Sequence, residues 1–425
     1  MIGLPEGKKM TAGIVDPDIR RNYYLLILSA ISLQITVSTI YMVLPLYFEQ
    51  FGISKSGTGV LISIGTFAGI LSGIVAGKLS DNFGRKSFLL LGTTMYSSVF
   101  FLFAYVPGSF DVFLVLRFIE GLGYYIIPVV IVSMAADIFP ANERGRAMGL
   151  YSMSSGVGQL IGPLAAGFLI SSGNFTTYFL FCGALVVASL VVMVLFVRET
   201  LNRENIKPVC VRAKRSISES LKRFVNQVKG LGLVVLVFLI AVLFYRVGYT
   251  MVDPLFTLFL KDVLKLNIGE SSYVYALKAV CTLAAAPAAG YLNDRVGRKP
   301  VFLIGMALTV TTMFSYSRAS SIEMVYLIRA VDSVAAVTLL TTIRTMMSDL
   351  VSPSMRGFGQ GLYSSISQES STIGSIFGGV IIDGWGYTGA FLAAMSCAAV
   401  ALFIVWFKVP DSIEPEKSSI KMAER

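Results

Sequence analysis

Seven charged residues stand inside long apolar stretches of this sequence: Arg117, Glu120, Arg246, Lys278, Arg329, Asp332 and Glu369. A charge in such surroundings is costly unless it is paired, hydrated or used, so each is a candidate for chemistry. Spacings of three put Arg117 with Glu120, and Arg329 with Asp332, on common helix faces. Such a pair can neutralise itself and simply hold helices together. Alternatively, its acid can exchange a proton for the arginine, so that protonation competes with ligand binding. Glu369 has no charged neighbour in its own segment and is the stronger candidate for function; Asp253 lies further out, beside Pro254. Arg246, Lys278 and Arg329 form a basic set suited to a carboxylate or phosphate. Histidine is absent, so proton transfer must use carboxylates, and a histidine-based metal or catalytic site is excluded. The cysteines Cys182, Cys210, Cys281 and Cys397 are scattered singly, which suggests neither a disulfide framework nor a zinc site. Metal: none is expected.

The elements that carry these residues are membrane spans. Of 425 residues, 55% are hydrophobic and only 14% charged, with mean hydropathy +0.73, whereas soluble domains carry nearly twice that charge. Apolar runs predict helices near 23–47, 57–78, 87–106, 112–137, 146–171 and 175–197, then 231–260, 271–292, 300–317, 322–348, 358–382 and 386–408. The first run is too long for a signal peptide and is expected to stay in the mature protein. Residues 1–197 read as an N-terminal six-helix bundle, 198–230 as a basic linker with a surface helix from Ser216 to Val228, and 231–425 as a C-terminal six-helix bundle. With both termini inside, 27 of the 35 basic residues fall on the cytoplasmic side and four outside. That distribution accounts for the net charge of +10 without nucleic acid as a partner. Asn174-Phe-Thr176, on an outside loop, fits a glycosylation acceptor.

The chain is internally duplicated. Gly77-Lys-Leu-Ser-Asp81-Asn-Phe-Gly84-Arg85-Lys86 recurs as Gly290-Tyr-Leu-Asn-Asp294-Arg-Val-Gly297-Arg298-Lys299, 213 residues later. At a shift of 212, Arg117 and Glu120 answer to Arg329 and Asp332, while Asp137, Arg144, Gly149, Tyr151, Gly162 and Gly167 answer to Asp349, Arg356, Gly361, Tyr363, Gly374 and Gly379. Glu369 answers to Val157. Two parallel six-helix halves related by an axis along the membrane normal follow.

With these paired loops the sequence resembles the major facilitator superfamily over essentially its whole length. The fold implied is an all-α membrane protein, with twelve transmembrane helices in two pseudo-symmetric bundles. Asn82 departs from that family's usual Arg in the first loop. The loop residues Gly77, Asp81, Gly84, Arg85, Lys86, Gly290, Asp294, Gly297, Arg298 and Lys299 are expected to form a cytoplasmic gate. There Asp81 and Asp294 would pair with Arg85 and Arg298, or cap a helix across the seam. Gly149, Gly158, Gly162, Pro163 and Gly167 resemble the family's antiporter signature, with Ala166 where Gly is usual, and such small residues make a closely packed face. Arg117-x-x-Glu120 resembles its helix-four signature, whose Arg is tied to proton transfer.

The function expected is a secondary active transporter working by alternating access, a proton-coupled antiporter exporting small organic or drug-like molecules. The alternative is a symporter or facilitator for a small organic anion, because one fold serves both. The first apolar run has no acid, only Gln34 and Ser38, which weakens the case for lipophilic cations. Tyr124, Tyr125, Tyr245, Tyr249, Met251 and Tyr275 are candidate cavity residues, a packing role being equally open to each. An enzyme is not expected, nor a cofactor: the proton gradient supplies the coupling ion. The partners are a small-molecule substrate, protons and the lipid bilayer. The chain is expected to be a monomer, multi-pass in the plasma membrane with both termini cytoplasmic.

Overall fold

The computed structural model describes residues 17–140, 142–171, 174–201 and 225–410. Its helices follow the apolar runs within a few residues, but two of them are broken. Helix α1 runs Pro17–Ser38 and resumes after Thr39 as Ile40–Glu49. It is followed by α2 (Lys55–Phe83), α3 (Arg85–Tyr105), α4 (Phe110–Ile138), α5 (Arg144–Ile170) and α6 (Phe175–Phe196). Helix α7 (Leu233–Val252) passes through a single 3-10 turn, Asp253–Leu255, into Phe256–Asp262. Then come α8 (Ile268–Val296), α9 (Arg298–Ser317) and α10 (Ile322–Leu350). The last helical stretch, Arg356–Lys408, is divided by Gly386, whose φ of 71° no helix tolerates, into α11 (356–385) and α12 (387–408). Twelve spans result among the described residues. The surface helix expected from Ser216 lies mostly outside the described residues, which show helix only at 225–230 of that region.

The duplication is visible in contacts as well as in sequence. Ser38 Oγ donates to the Gly158 carbonyl at 2.8 Å, and its counterpart Thr250 Oγ1 donates to the Ser370 carbonyl at 2.8 Å. The rings of Tyr47 and Phe179 meet edge-on at 4.7 Å, as those of Phe259 and Phe391 do at 5.0 Å. All four pairs of equivalents are 212 residues apart.

The two halves touch at the end opposite the chain termini. Asp383 of α11 accepts from the Lys55 and Ser56 backbone N–H groups at 3.2 and 2.8 Å and from Ser56 Oγ at 2.5 Å, so it caps α2 of the other half. Glu49 binds Lys55 and Lys261, both at 2.7 Å, and Lys55 also reaches Asp262 at 2.9 Å. Tyr387 donates to Asp262 at 2.6 Å. Deeper, Ser63 donates to the Thr372 carbonyl at 2.7 Å, and Thr66 meets the Thr372 hydroxyl at 2.9 Å. Small residues let the backbones approach: a Cβ on Gly59 would strike Ser375, on Gly379 Lys55 and Ser56, and on Gly167 Ser272. Towards the terminal side the helices separate. A Cβ on Gly73, Gly77, Gly149, Gly290 or Gly361 would have nothing within 4 Å. The molecule is therefore closed at one end and open at the other, where the described residues begin at Pro17 and end at Pro410.

Candidate functional site

Closure at one end leaves a cavity of about 310 Å³ between the halves. Its walls include Gln34, Ser38 and Tyr41 from α1, Tyr124 and Tyr125 from α4, Ser155, Gln159 and Pro163 from α5, and Asp253, Tyr275 and Lys278 from α7 and α8. A second chamber of about 390 Å³ shares Gln34, Ser155, Gln159 and Ala279 with it and reaches Tyr151 and Arg344, which makes a route to the terminal side. Apolar walls with a few converging polar groups are the usual make-up of a small-molecule site.

Behind Tyr41, Tyr124 and Tyr125 lies a void of about 50 Å³ that Arg117 and Glu120 also line, room enough for a water molecule. Arg117 is buried between α2 and α4; its Nε donates to the Leu61 carbonyl at 3.1 Å, a second N–H reaches Ile62 O at 3.4 Å, and its guanidinium contacts Glu120. Gly65 is required here because any Cβ would strike the guanidinium, and Gly121 allows α4 to lie directly on Gly65. Glu120 Oε2 is buried without a well-formed hydrogen bond. An acid so placed is held by one charge alone, and a proton can replace that charge.

On the facing wall the break in α7 turns Asp253 into the cavity. It binds Lys278 at 2.8 Å and Arg329 at 3.4 Å, and Arg329 also reaches Asp332 at 3.3 Å. Arg329 is fully buried over the Phe256 ring at 4.3 Å, and the ammonium of Lys278 lies 5.6 Å from the Tyr249 ring centre. Arg246 lies two helical turns before Asp253 on α7, and its Nε is buried without a hydrogen bond. Two of the three cations are thus neutralised by Asp253 and Asp332, and the wall is less basic than the sequence suggests.

The structure unites Arg117 with Glu120, and Lys278, Arg329 and Asp332 around Asp253, but it does not bring Glu369 to the cavity. Ser370 and Thr372 commit two faces of α11 to α7 and α2, and Glu369 is exposed on the stripe of Ile373, Ile376, Phe377 and Val380. Asp253 itself was legible as an acid preceding proline in an apolar run. Tyr41, Ser155 and Gln159 carry no such mark. Of the aromatic candidates, Tyr124, Tyr125 and Tyr275 line the cavity, whereas Met251 is core packing.

The paired loops differ from expectation in their partners. Gly84 and Gly297 have φ of 106° and 101°, which explains the invariance of both positions between the copies. Asp81 pairs with Arg85 at 2.5 Å, and Arg85 also binds Asp137 at 3.1 Å. Arg298, however, takes Asp349 as its partner, and Asp294 is exposed. The start of α3 is capped within its own half, by Glu199, which accepts from the Arg85 and Lys86 N–H groups at 2.9 and 3.0 Å; Asp81 caps nothing across the seam. Lys86 and Lys299 anchor symmetrically to the Val194 and Trp406 carbonyls at 2.7 and 3.0 Å. In α5, Gly158 and Gly162 pack on Gln34 and Ile35 of α1 and Gly167 on Ser272 of α8, but Gly149 packs on nothing, which corrects its place in the close-packed face. Asn174 caps α6, accepting from Thr177 N–H at 3.2 Å.

Known proteins agree with this architecture. The model of the Major Facilitator Superfamily matches residues 26–245 and 238–424. The multidrug resistance protein MdtG of Escherichia coli O81 (strain ED1a) is 25% identical over 399 residues, covering 91% of this chain and 94% of the relative. MdtG of Klebsiella pneumoniae (strain 342) is 26% identical over 370 residues, with 85% and 86% covered. Among solved structures, a bacterial homologue of the human lysosomal transporter Spinster, inward-facing and occupied, superposes with TM-score 0.73 at 15% identity, covering 92% of this chain and 97% of that one. A D-xylose–proton symporter gives 0.72 at 16% identity, with 92% and 98% covered. The chain belongs to the major facilitator superfamily.

Proposed function

We propose that this protein is a proton-coupled antiporter that exports small organic, drug-like molecules by alternating access, as a monomer in the plasma membrane with both termini cytoplasmic. The proton gradient, rather than a bound cofactor, drives it. The observation that carries this reading is the cavity between the halves, closed at one end by ion pairs and open at the other, with Glu120 buried behind its wall beside a water-sized void. The excess of Lys and Arg on the terminal side supports the orientation, which makes the open end cytoplasmic. The name of the MdtG relatives supports a drug-like substrate.

In this cycle a molecule enters the open cavity and packs on Tyr41, Tyr124, Tyr125 and Tyr275. A proton arriving at Glu120 from outside loosens its hold on Arg117, so α4 shifts against α2 at Gly65 and Gly121. Arg246 favours the second reading, cotransport of an organic anion, since it alone of the basic set lacks an acid at hydrogen-bond distance among the described residues. Vesicles holding purified protein and an acid interior decide between the two. Export by antiport predicts that ethidium added outside accelerates loss of the pH gradient and accumulates inside, and Glu120→Gln abolishes both. Loss of the gradient only when an organic anion moves with the proton refutes antiport.

A further inference from the structure

Glu369 sits midway along α11, between Arg356 and Asp383, and so near the centre of the membrane. Its counterpart Val157 belongs to the exposed stripe Met153, Val157, Ile161, Leu164 and Phe168 of α5. The same register on α11 exposes Ile373, Ile376 and Val380. The symmetry therefore assigns Glu369 to a face that in the other half is wholly apolar. Among the described residues its side chain has no hydrogen bond or ion pair. An ionised carboxylate facing hydrocarbon is costly, and such residues are functional by default.

The surroundings give the carboxylate a use. On the shared face of α2 and α11, Ser56 packs against Gly379, Gly59 against Ser375, and Ser63 and Thr66 against Thr372. Continuing towards the terminal side, the same face of α2 presents Gly73 and Gly77, and that of α11 presents Ser365 and Gly361; the three glycines have nothing within 4 Å of a Cβ. The two helices thus part into a slit just below Thr66 and Thr372, with Gln368 next on the shared face and Glu369 at the lipid-side rim. The lipid-side rim on α2 is Phe67, Leu71 and Val75, all exposed.

We propose that this slit is a lateral access site through which amphipathic cations dissolved in the cytoplasmic leaflet reach the cavity, with Glu369 binding the cationic centre. The occupant follows from charge complementarity: one carboxylate in an apolar rim selects a positive group on an apolar body. The inference rests on the transport reading, and it restores the lipophilic cations that the missing acid in α1 argued against.

Binding of alkyl-triphenylphosphonium ions to the protein in lipid nanodiscs tests it, with neutral triphenylphosphine oxide as the control. Glu369→Gln is expected to weaken binding of the hexyl ion at least fivefold and of the methyl ion less, because the longer chain partitions further into the bilayer. Glu369→Asp should restore binding to within twofold, and the neutral control should not change. Equal binding by wild type and Glu369→Gln, equal loss for ion and control, or a loss independent of chain length each overturns the proposal. Wild type that binds the hexyl ion through Glu369 but does not move it in vesicles upholds the site and removes the transport reading.

Discussion

Asp383 holds the closed end together from the far side of the seam, and Asp383→Asn measures how firmly. The carboxylate takes three hydrogen bonds from Lys55 and Ser56 at the start of α2. Bonds to a charged group contribute roughly 1.5–3 kcal/mol and neutral ones roughly 0.5–1.5. The amide keeps only one accepting oxygen, so at least one bond is lost outright and the others weaken, about 3 kcal/mol in all, to which the α2 dipole adds about 0.5 kcal/mol. Exposure of Asp383 to solvent screens roughly half of this. About 1.5 kcal/mol remains, and it stabilises only the conformation in which α2 and α11 meet, so the substitution should raise the outward-open population about tenfold. Nitroxides at Phe51→Cys and Val263→Cys, both exposed at the closed end, report the change as a longer distance by double electron–electron resonance. A population ratio within twofold of the parent would refute the view that Asp383 closes the gate.

Four further outcomes follow. Gly158→Ala puts a Cβ 2.5 Å from the Gln34 carbonyl carbon and should cost about 1–3 kcal/mol, read as a lower Tm in detergent. Gly149→Ala, with nothing within 4 Å, should leave Tm unchanged or raise it slightly. Asp253→Asn strips Lys278 and Arg329 of a shared partner and should destabilise by about 3 kcal/mol; adding Lys278→Met should recover a measurable part, and strict additivity in that cycle would dissolve the pair. Asp81→Ala removes a 2.5 Å partner from Arg85 but no cross-half contact, so the protein should insert normally and transport slowly, whereas full-speed transport in vesicles would show that Asp81 does not latch.

The legible parts of this molecule were those whose physics is local. Gly84 and Gly297 require positive φ, so the turns they make could be found twice at one spacing. Arg117 and Glu120 meet because they are one helical turn apart. The direction in which Glu369 turns was not legible because a membrane helix is apolar on nearly every face, and periodicity cannot tell lipid from neighbour; only the packing of Ser370 and Thr372 shows it. Asp253 was undervalued because the break in α7 that swings it inward is a property of the folded turn. The closing residues Glu49, Lys261, Asp262 and Asp383 lie some two hundred or more residues from their cross-half partners, and nothing local to any of them announces that meeting.

Glu49 and Lys261 are each other's counterparts, 212 residues apart, and they touch across the seam. A residue beside a two-fold axis faces its own copy, so two identical halves would set glutamate against glutamate or lysine against lysine there, and the gate would push itself open. This ion pair requires the halves to have become unlike at that position. A homodimer of either half could not form this clasp, and the non-identity of the two halves is what makes a self-attracting lid on the axis chemically available.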